Sequence, residues 1–239
     1  MTRPKAHRYR RRRNAHPEPK VIPMTSRLLV LLACALLSAC ASVRHQPLSQ
    51  AAVPQLENKT LAFTTGTKPD FGAMTAGNAM FGLLGAIEAI SSGNALVRDN
   101  NIPDPASNIA AELAKMVHAQ YRIADRKLGI VSGSDDVDAL AKLHPDVDLL
   151  LDVRTVTWSL IYFPADWTHY RVIYSAQARL IDLKHREVLA EHSCSRAPEQ
   201  TADAPTYDEL VDDGAAGLKR ALSTAGDECL EEFASLFPS

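Results

Sequence analysis

The sequence predicts an α+β (or α/β) fold built on a single mixed sheet, with helices on one or both faces. Apolar side chains occupy every second position from Tyr170 to Leu180, which is the period of a half-buried strand. Residues 104–117 and 206–233 instead repeat their apolar side chains at helical spacing. The predicted order of elements is β-α-α-β-α-β-β-β-α, which suits one sheet covered by helices.

The first half of the domain starts with a strand over residues 60–65 and continues with an apolar helix over residues 79–97. Four glycines between Gly77 and Gly93 cost helix propensity, roughly 1 kcal/mol each against alanine. We therefore expect a second helix or a second subunit to approach the side of this helix that carries small residues. That helix-packing face comprises Gly82, Gly85, Ala86, Ala89 and Gly93, and the opposite face carries Met80, Leu83, Leu84, Ile87 and Ile90.

The next elements are marked by their caps. Asp104 and Pro105 fit the N-cap and first position of a helix, and Ser134 can cap another that runs to about Leu143. A short strand over residues 129–131 separates the two helices. A long strand then runs from about residue 147 to 163, and its alternation slips near Thr155, which predicts a bulge.

The second half of the domain reads as a hairpin and a closing helix. The strand over residues 170–180 turns at 182–187 into a strand over residues 188–194. Thr206 and Glu209 then have the spacing of a capping box, which predicts the start of a helix that runs to about Phe233.

Upstream of the domain, the chain has the pattern of an export signal. Arg27 precedes an apolar run over residues 28–37, which is about half the length needed to cross a bilayer. The run ends in Leu37-Ser38-Ala39-Cys40, which resembles the lipobox of bacterial lipoproteins. The resemblance implies that residues 24–39 are a cleaved signal peptide and that Cys40 becomes a lipid-carrying N-terminus.

The flanking segments complete the predicted organisation. The residues directly after Cys40 are Ala41 and Ser42, and neither is an aspartate. The lipoprotein resemblance then implies the outer membrane, with the domain facing the periplasm. We interpret residues 40–58 as a lipidated tether and residues 59–239 as a single globular periplasmic domain. Residues 1–23 contain four consecutive arginines and are interpreted as upstream sequence before a true start at Met24. The alternative is a basic segment that contacts nucleic acid or an anionic membrane.

Composition limits the possible partners. The first 39 residues hold nine of the 26 basic and one of the 28 acidic residues, so the mature chain keeps 17 and 27, a net charge of −10. Such an acidic chain is not expected to bind nucleic acid, which requires a basic surface. Two cysteines remain besides Cys40 in the mature chain, Cys194 and Cys229, and an oxidising compartment favours a disulfide between them. A metal pair or two free thiols are the alternatives.

Parts of the domain resemble known envelope proteins. The segments Asp148–Leu151, Arg179–Asp182 and Glu187–Leu189 resemble periplasmic lipoprotein domains near the curli-secretion-channel and TolB amino-terminal groups. Residues 69–101 resemble a family of uncharacterised proteobacterial outer-membrane lipoproteins. These resemblances imply a fold more than an activity.

The sequence contains no recognisable catalytic, phosphate-binding or zinc-binding motif, so neither an enzyme, a cofactor nor a metal site is predicted. Asp148 and Asp152 share one face of a strand and are read as a solvent-facing pair, with an acid–base pair as the alternative. An aromatic cluster around Pro164 is a candidate partner-binding surface, and a packed hairpin corner is its alternative. The cluster comprises Trp158, Tyr162, Phe163, Trp167 and Tyr170.

These features predict a membrane-anchored, non-enzymatic envelope lipoprotein that acts as an assembly, accessory or scaffold subunit. Its expected partners are the membrane, through the lipid, and either another envelope protein or a second copy of itself. The alternative is a lipoprotein that binds a small ligand or a glycan through the aromatic cluster.

Overall fold

The computed structural model describes residues 45–238, and within that span it describes only the backbone of residues 125–128 and 130. The upstream segment at 1–23, the predicted signal peptide at 24–39 and the predicted lipidation site Cys40 lie outside the described residues. Six strands and five α-helices are present in the described part. The strands are β1 (Thr60–Gly66), β2 (Gly72–Met74), β3 (Ala124–Ser132), β4 (Leu149–Phe163), β5 (Asp166–Asp182) and β6 (Glu187–Arg196). The helices are α1 (Ala76–Ala79), α2 (Gly82–Asp99), α3 (Pro105–Tyr121), α4 (Val137–Leu143) and α5 (Tyr207–Ala234).

The strands form one mixed sheet in the order β3-β1-β4-β5-β6, which confirms the predicted fold class. β1 runs parallel to both β3 and β4, whereas β4, β5 and β6 pair antiparallel through hairpins. β2 pairs parallel with residues 159–161 of β4, on a stretch of β4 beyond the end of its pairing with β1. The predicted bulge is present, because the register between β4 and β5 shifts between Thr155 and Thr157.

Helices cover both faces of the sheet. One large apolar core joins the inward side chains of β4 and β5 to α3 and α5, and it includes Leu151, Tyr174, Leu113 and Leu218. A smaller core on the opposite face joins Leu140 of α4 to neighbouring strand residues, among them Leu150 and Ile181. Successive residues such as Leu150 and Leu151 enter different cores because strand side chains alternate between the two faces.

Three local expectations differ from the structure. The short elements β2 and α1 were not predicted, since three or four residues carry too little periodicity to be recognised. The cap of α4 is Asp136, whose side chain accepts a hydrogen bond from the amide of Ala139, and not Ser134. Helix α5 is interrupted at residues 212–215, where Asp213, Gly214 and Ala215 adopt positive φ angles of 51°, 65° and 60°.

Most of the predicted tether is folded onto the domain. Gln46 exchanges two backbone hydrogen bonds with Glu191 of β6, and the Leu48 amide donates to the Leu236 carbonyl. Leu48 and Leu56 are buried in the large core. The prediction of a flexible tether is therefore wrong for residues 46–58, because two buried leucines and strand-like pairing hold this segment in place. The ring of His45 is also hydrogen-bonded to that of His192 in β6, so four residues, 41–44, lie between Cys40 and the first residue that contacts the sheet.

The predicted disulfide joins the end of the sheet to the last helix. Cys194 of β6 and Cys229 of α5 are bonded, with their Cα atoms 5.5 Å apart. Both residues are buried in the large core.

Candidate functional site

The aromatic cluster predicted as a binding surface is largely part of the core. Trp158, Phe163 and Tyr170 are buried. Trp158 donates its indole N–H to the Pro69 carbonyl at 2.9 Å and meets the ring of Phe71 edge-on. Within the cluster only Trp167 is well exposed, at 59%, and Tyr162 lies half-buried beside it. The structure therefore favours the alternative, a packed corner of the β4–β5 hairpin.

His169, beside this corner, is hydrogen-bonded to a neighbouring carboxylate. Its Nδ1 lies 2.6 Å from Asp166 Oδ2. Hydrogen bonds from Thr168 and then from His169 lower the pKa of Asp166 to about 2. The His169 ring is thus hydrogen-bonded to a residue of its own hairpin. Within residues 45–238, no group of three or more His, Cys, Asp or Glu side chains is placed to hold a metal ion.

Asp148 and Asp152 are not a solvent-facing strand pair, so that prediction is wrong: Asp148 lies just before β4 and only Asp152 lies within it. Asp152 is completely buried and its carboxylate contacts two arginines, at 2.6 Å from Nη2 of Arg179 and 2.8 Å from Nη2 of Arg154. Asp148 accepts hydrogen bonds from the amide and the hydroxyl of Thr60. The hydrogen bond from the amide is the main cause of the lowered pKa of Asp148. Each carboxylate has its own structural partners: Asp152 joins arginines of β4 and β5, and Asp148 is bonded to Thr60 of β1.

A cavity of about 640 Å³ lies elsewhere, between β5, α5 and the loop over residues 197–205. Phe163, Tyr170 and Arg171 are among its lining residues. The Arg171 guanidinium stacks over the Phe163 ring and donates from Nη1 to the Pro198 carbonyl. Its buried Nε finds no hydrogen-bond partner in the part of the chain that the structure describes. A concave cavity with a few polar groups among apolar side chains is typical of small-ligand sites.

Helix α2 carries the most unusual surface of the domain, because its small face is buried and its bulky face is exposed. Gly85, Ala89 and Gly93 are buried, whereas Gly82 is exposed and Ala86 is half-buried. A Cβ added to Gly85 would lie 1.7 Å from the Asn78 carbonyl oxygen of α1, and one added to Gly93 would lie 2.1 Å from that of Phe71. The close approach expected of the small face is therefore made by the backbones of α1 and of the residues leading into β2.

Two polar contacts and one glycine turn complete the attachment of α2. Asn94 accepts a hydrogen bond from the Phe71 amide at 2.9 Å and donates to Asp70 Oδ1 at 2.8 Å. Gly82 has a φ of 54°, so it serves the turn between α1 and α2 and not the packing face predicted for it. The helix is thereby held against β2 along one side.

The outer face of α2 is an exposed apolar surface. Six large side chains are exposed by between 42% and 78% at positions that adjoin each other along the helix and its leading turn. They are Met80, Phe81, Leu83, Leu84, Ile87 and Ile90. A fully exposed side chain of this size presents roughly 150–200 Å², so together they expose on the order of 700 Å². Soluble monomers rarely expose a contiguous apolar patch above several hundred Å² unless it contacts another molecule.

The outer face is also nearly free of charge. Between Ala76 and Val97 the only charged residue is Glu88. A helix that is apolar on all sides is normally buried against other protein or lipid. No helix within residues 45–238 has the length and apolar character required to span a bilayer. Sequence reasoning separated the two faces of α2 correctly, but it missed Phe81 and did not identify the bulky face as the exposed one.

Comparison with known proteins gives distant structural neighbours only. No protein family model matches the chain, and no curated protein matches it either. A PelC dodecamer from Paraburkholderia phytofirmans is similar at 12% identity and a TM-score of 0.35, over 82% of this chain and 96% of that one. Protein XCC0632 from Xanthomonas campestris is similar at 13% identity and a TM-score of 0.37, over 82% and 93% of the two chains. Lipoprotein GNA1162 from Neisseria meningitidis is similar at 17% identity and a TM-score of 0.27, over 72% and 99%. Lipoproteins thus occur among these neighbours, but likenesses at these scores assign neither a family nor a role.

Proposed function

We propose that this protein is a lipid-anchored, non-enzymatic subunit of the bacterial envelope, and that it docks another protein through the outer face of α2. The observation that carries the proposal is the exposed apolar surface of that helix. Burial of apolar surface away from water is favourable by about 25 cal/mol per Å². Most of that gain is offset by the costs of association, but the driving force for docking is present.

The way α2 is attached supports a docking role. Its inner face meets backbone atoms at Gly85 and Gly93, and Asn94 fixes the adjoining loop by two hydrogen bonds. A helix held in this way presents its outer side chains in a fixed arrangement. Binding then costs less conformational entropy than it would for a helix that orders only on contact.

The proposed lipid anchor on Cys40 keeps this surface in the envelope, and its test is separate from the docking test. Cys40→Ser in the full-length chain is expected to abolish incorporation of a labelled fatty acid and to leave an uncleaved precursor. The matched control is Cys34→Ser, which changes a cysteine within the predicted signal peptide and should leave labelling intact. A Cys40→Ser chain that is still labelled and processed would refute the anchor.

The docking role is tested by cross-linking from the surface in living cells. A photoreactive amino acid at Leu84 of the full-length chain should form an adduct with a protein. The matched control is the same replacement at Leu143, an exposed leucine on α4. A protein adduct from position 84 and none from 143 is the expected result. No protein adduct from position 84, or equal adducts from both positions, would contradict the docking role.

Small-ligand binding is the second candidate function, and the cavity beside Arg171 favours it. The Arg171 guanidinium provides a positive charge for a carboxylate at this cavity, while Phe163 and Tyr170 are among its other lining residues. Calorimetric titration with glucuronate and with glucose tests this role directly. Binding of the acid alone, and its loss in Arg171→Met, would support it, whereas no heat from either sugar would refute this class of ligand.

A further inference from the structure

The charge of the chain restricts which kind of partner can cover the outer face of α2. Helices that lie in a membrane interface are typically rich in Lys and Arg, which pair with lipid phosphates. α2 has no basic residue before Arg98, and the mature chain has a net charge of −10. Both features disfavour an anionic lipid surface. A low density of charge is instead typical of the centre of a protein interface.

The number of residues between the proposed lipid and the sheet limits how far the domain can lie from the membrane. Backbone pairing with the sheet begins at Gln46, which is bonded to Glu191 and is six residues after Cys40. Six residue steps span at most about 20 Å. With the proposed lipid in place, every copy of the protein is therefore held close to the same bilayer surface.

This confinement favours contact between identical surfaces. Molecules anchored in one membrane have a higher effective concentration than free ones, so a modest affinity suffices for association. A two-fold contact places the same patch of each copy against the other. Leucine, isoleucine, methionine and phenylalanine side chains can pack against their own kind without leaving a polar group unpaired.

The size of the surface also fits a contact between two copies. A specific interface of standard size buries about 800 Å² on each partner. The outer face of α2 offers on the order of 700 Å² before any rim residue is counted. A pair of α2 helices crossing on these faces would thus approach the area that a stable dimer requires.

We propose that the outer face of α2 is covered by the same face of a second copy of this chain, in an isologous dimer on the membrane. This inference rests on the proposed docking function and names its partner. Residues near the two-fold axis then lie opposite themselves. Glu88 lies toward the rim of the contact, where it stays solvated.

The experiment is a cysteine scan in full-length, lipidated protein, with two differently tagged copies expressed together. Cysteine replaces in turn Leu83, Leu84, Ile87, Ile90 and Ser91, and the membranes are then mildly oxidised. Cys194 and Cys229 are bonded to each other. Under the proposed processing, Cys34 leaves with the signal peptide and Cys40 carries the lipid, so the introduced thiol is the reactive one. At least one position should give a disulfide dimer that contains both tags.

Two controls separate a specific contact from collision. Leu143→Cys, on exposed α4, should give less than a tenth of the dimer formed at the best α2 position. A chain with Leu83→Gln, Leu84→Gln and the reporter Ile90→Cys should lose most of the dimer formed by Ile90→Cys alone. Absence of dimer at all five α2 positions, or equal dimer from Leu143→Cys, would overturn the proposal.

Failure of this inference is distinguishable from failure of the docking function. If the photoreactive residue at position 84 reacts with a different protein and the cysteine scan gives no dimer, docking stands and the second copy is excluded. If position 84 forms no protein adduct and the scan gives no dimer, both are refuted. A lipid adduct from position 84 in that case would assign the surface to the membrane.

Discussion

Helices α2 and α5 are attached to the same sheet by opposite means. α5 buries large side chains, among them Leu218, Leu222 and Phe233, and exposes polar ones such as Asp227 and Glu231. α2 buries glycine and alanine and exposes leucine, isoleucine, methionine and phenylalanine. The first arrangement completes the core of one chain. The second leaves its apolar side chains available to a partner, so the contrast between the two helices separates folding from docking.

The largest expected effect is on the attachment of α5. Cys194→Ala together with Cys229→Ala removes a bridge that closes a loop of 35 residues. By the chain-entropy estimate, a loop of this size stabilises the fold by about 4 kcal/mol. Urea unfolding should show a loss of that order relative to the wild-type chain. A loss below about 1 kcal/mol would mean that apolar packing alone holds α5.

The next effect is on the inner face of α2. Gly85→Ala places a methyl group 1.7 Å from the Asn78 carbonyl, and since that atom is backbone the helix must shift away from α1. Overpacking of this kind costs about 1–3 kcal/mol. Gly77→Ala is the matched control, since its nearest atom would be 3.7 Å away. Equal melting temperatures for the two variants would contradict the close packing of α2.

A smaller effect concerns the ion pairs that fasten α5 to β6. Glu232 contacts His192 and, at 2.8 Å, Nη2 of Arg196. Burial raises the pKa of Glu232, but the hydrogen bonds from His192 and Arg196 outweigh it, so the pKa is lowered overall. A carboxyl with a lowered folded-state pKa stabilises the fold above its unfolded pKa, and this contribution is lost as the pH falls through the folded value.

Glu232→Gln should therefore reduce the unfolding free energy at pH 7, by less than about 1 kcal/mol because the pair is partly exposed. The difference from the wild-type chain should shrink as the pH falls below about 4. Glu231→Gln, on the exposed side of the same helix, serves as the control. Denaturant unfolding between pH 3 and pH 7 measures both, and a difference that grows toward low pH would reverse the sign argued here.

The sequence predicted what depends on periodicity and caps. The α3 start at Asp104 and Pro105, the capping box at Thr206 and the disulfide all follow from local spacing or from the number of cysteines. Leu48 and Leu56 were not predicted to be buried, because isolated apolar residues in a Pro- and Gln-containing segment show no period. Asp152 was assigned to the surface, because the two arginines that surround it come from β4 and β5 and only the register between those strands brings them together.

The candidate site was predicted only in part, for a related reason. A helical wheel separates the small and bulky faces of α2, but it does not say which face the sheet covers. Burial of the larger side chains is the usual expectation. Here the backbone of residues 71–73 and 78 lies directly against Gly85 and Gly93 of α2. Only the helix face that carries glycine can approach another backbone so closely, because a Cβ atom there would clash. The choice of face was therefore decided by β2 and α1, the two short elements that sequence periodicity did not reveal.

The smallest expected effect on stability is at the outer face of α2. Leu83→Gln together with Leu84→Gln changes side chains that are exposed by 78% and 73%. Exposed substitutions of this kind usually alter the unfolding free energy by no more than about 0.5 kcal/mol. In dilute detergent solution, where both proteins are monomeric, we expect the variant to keep the unfolding midpoint of the wild-type protein, while disulfide trapping across α2 in the membrane falls. Leu143→Gln should change neither quantity. A large loss of stability in the α2 variant would instead show that these leucines serve the fold of a single chain, and the contrast drawn between α2 and α5 would then fail.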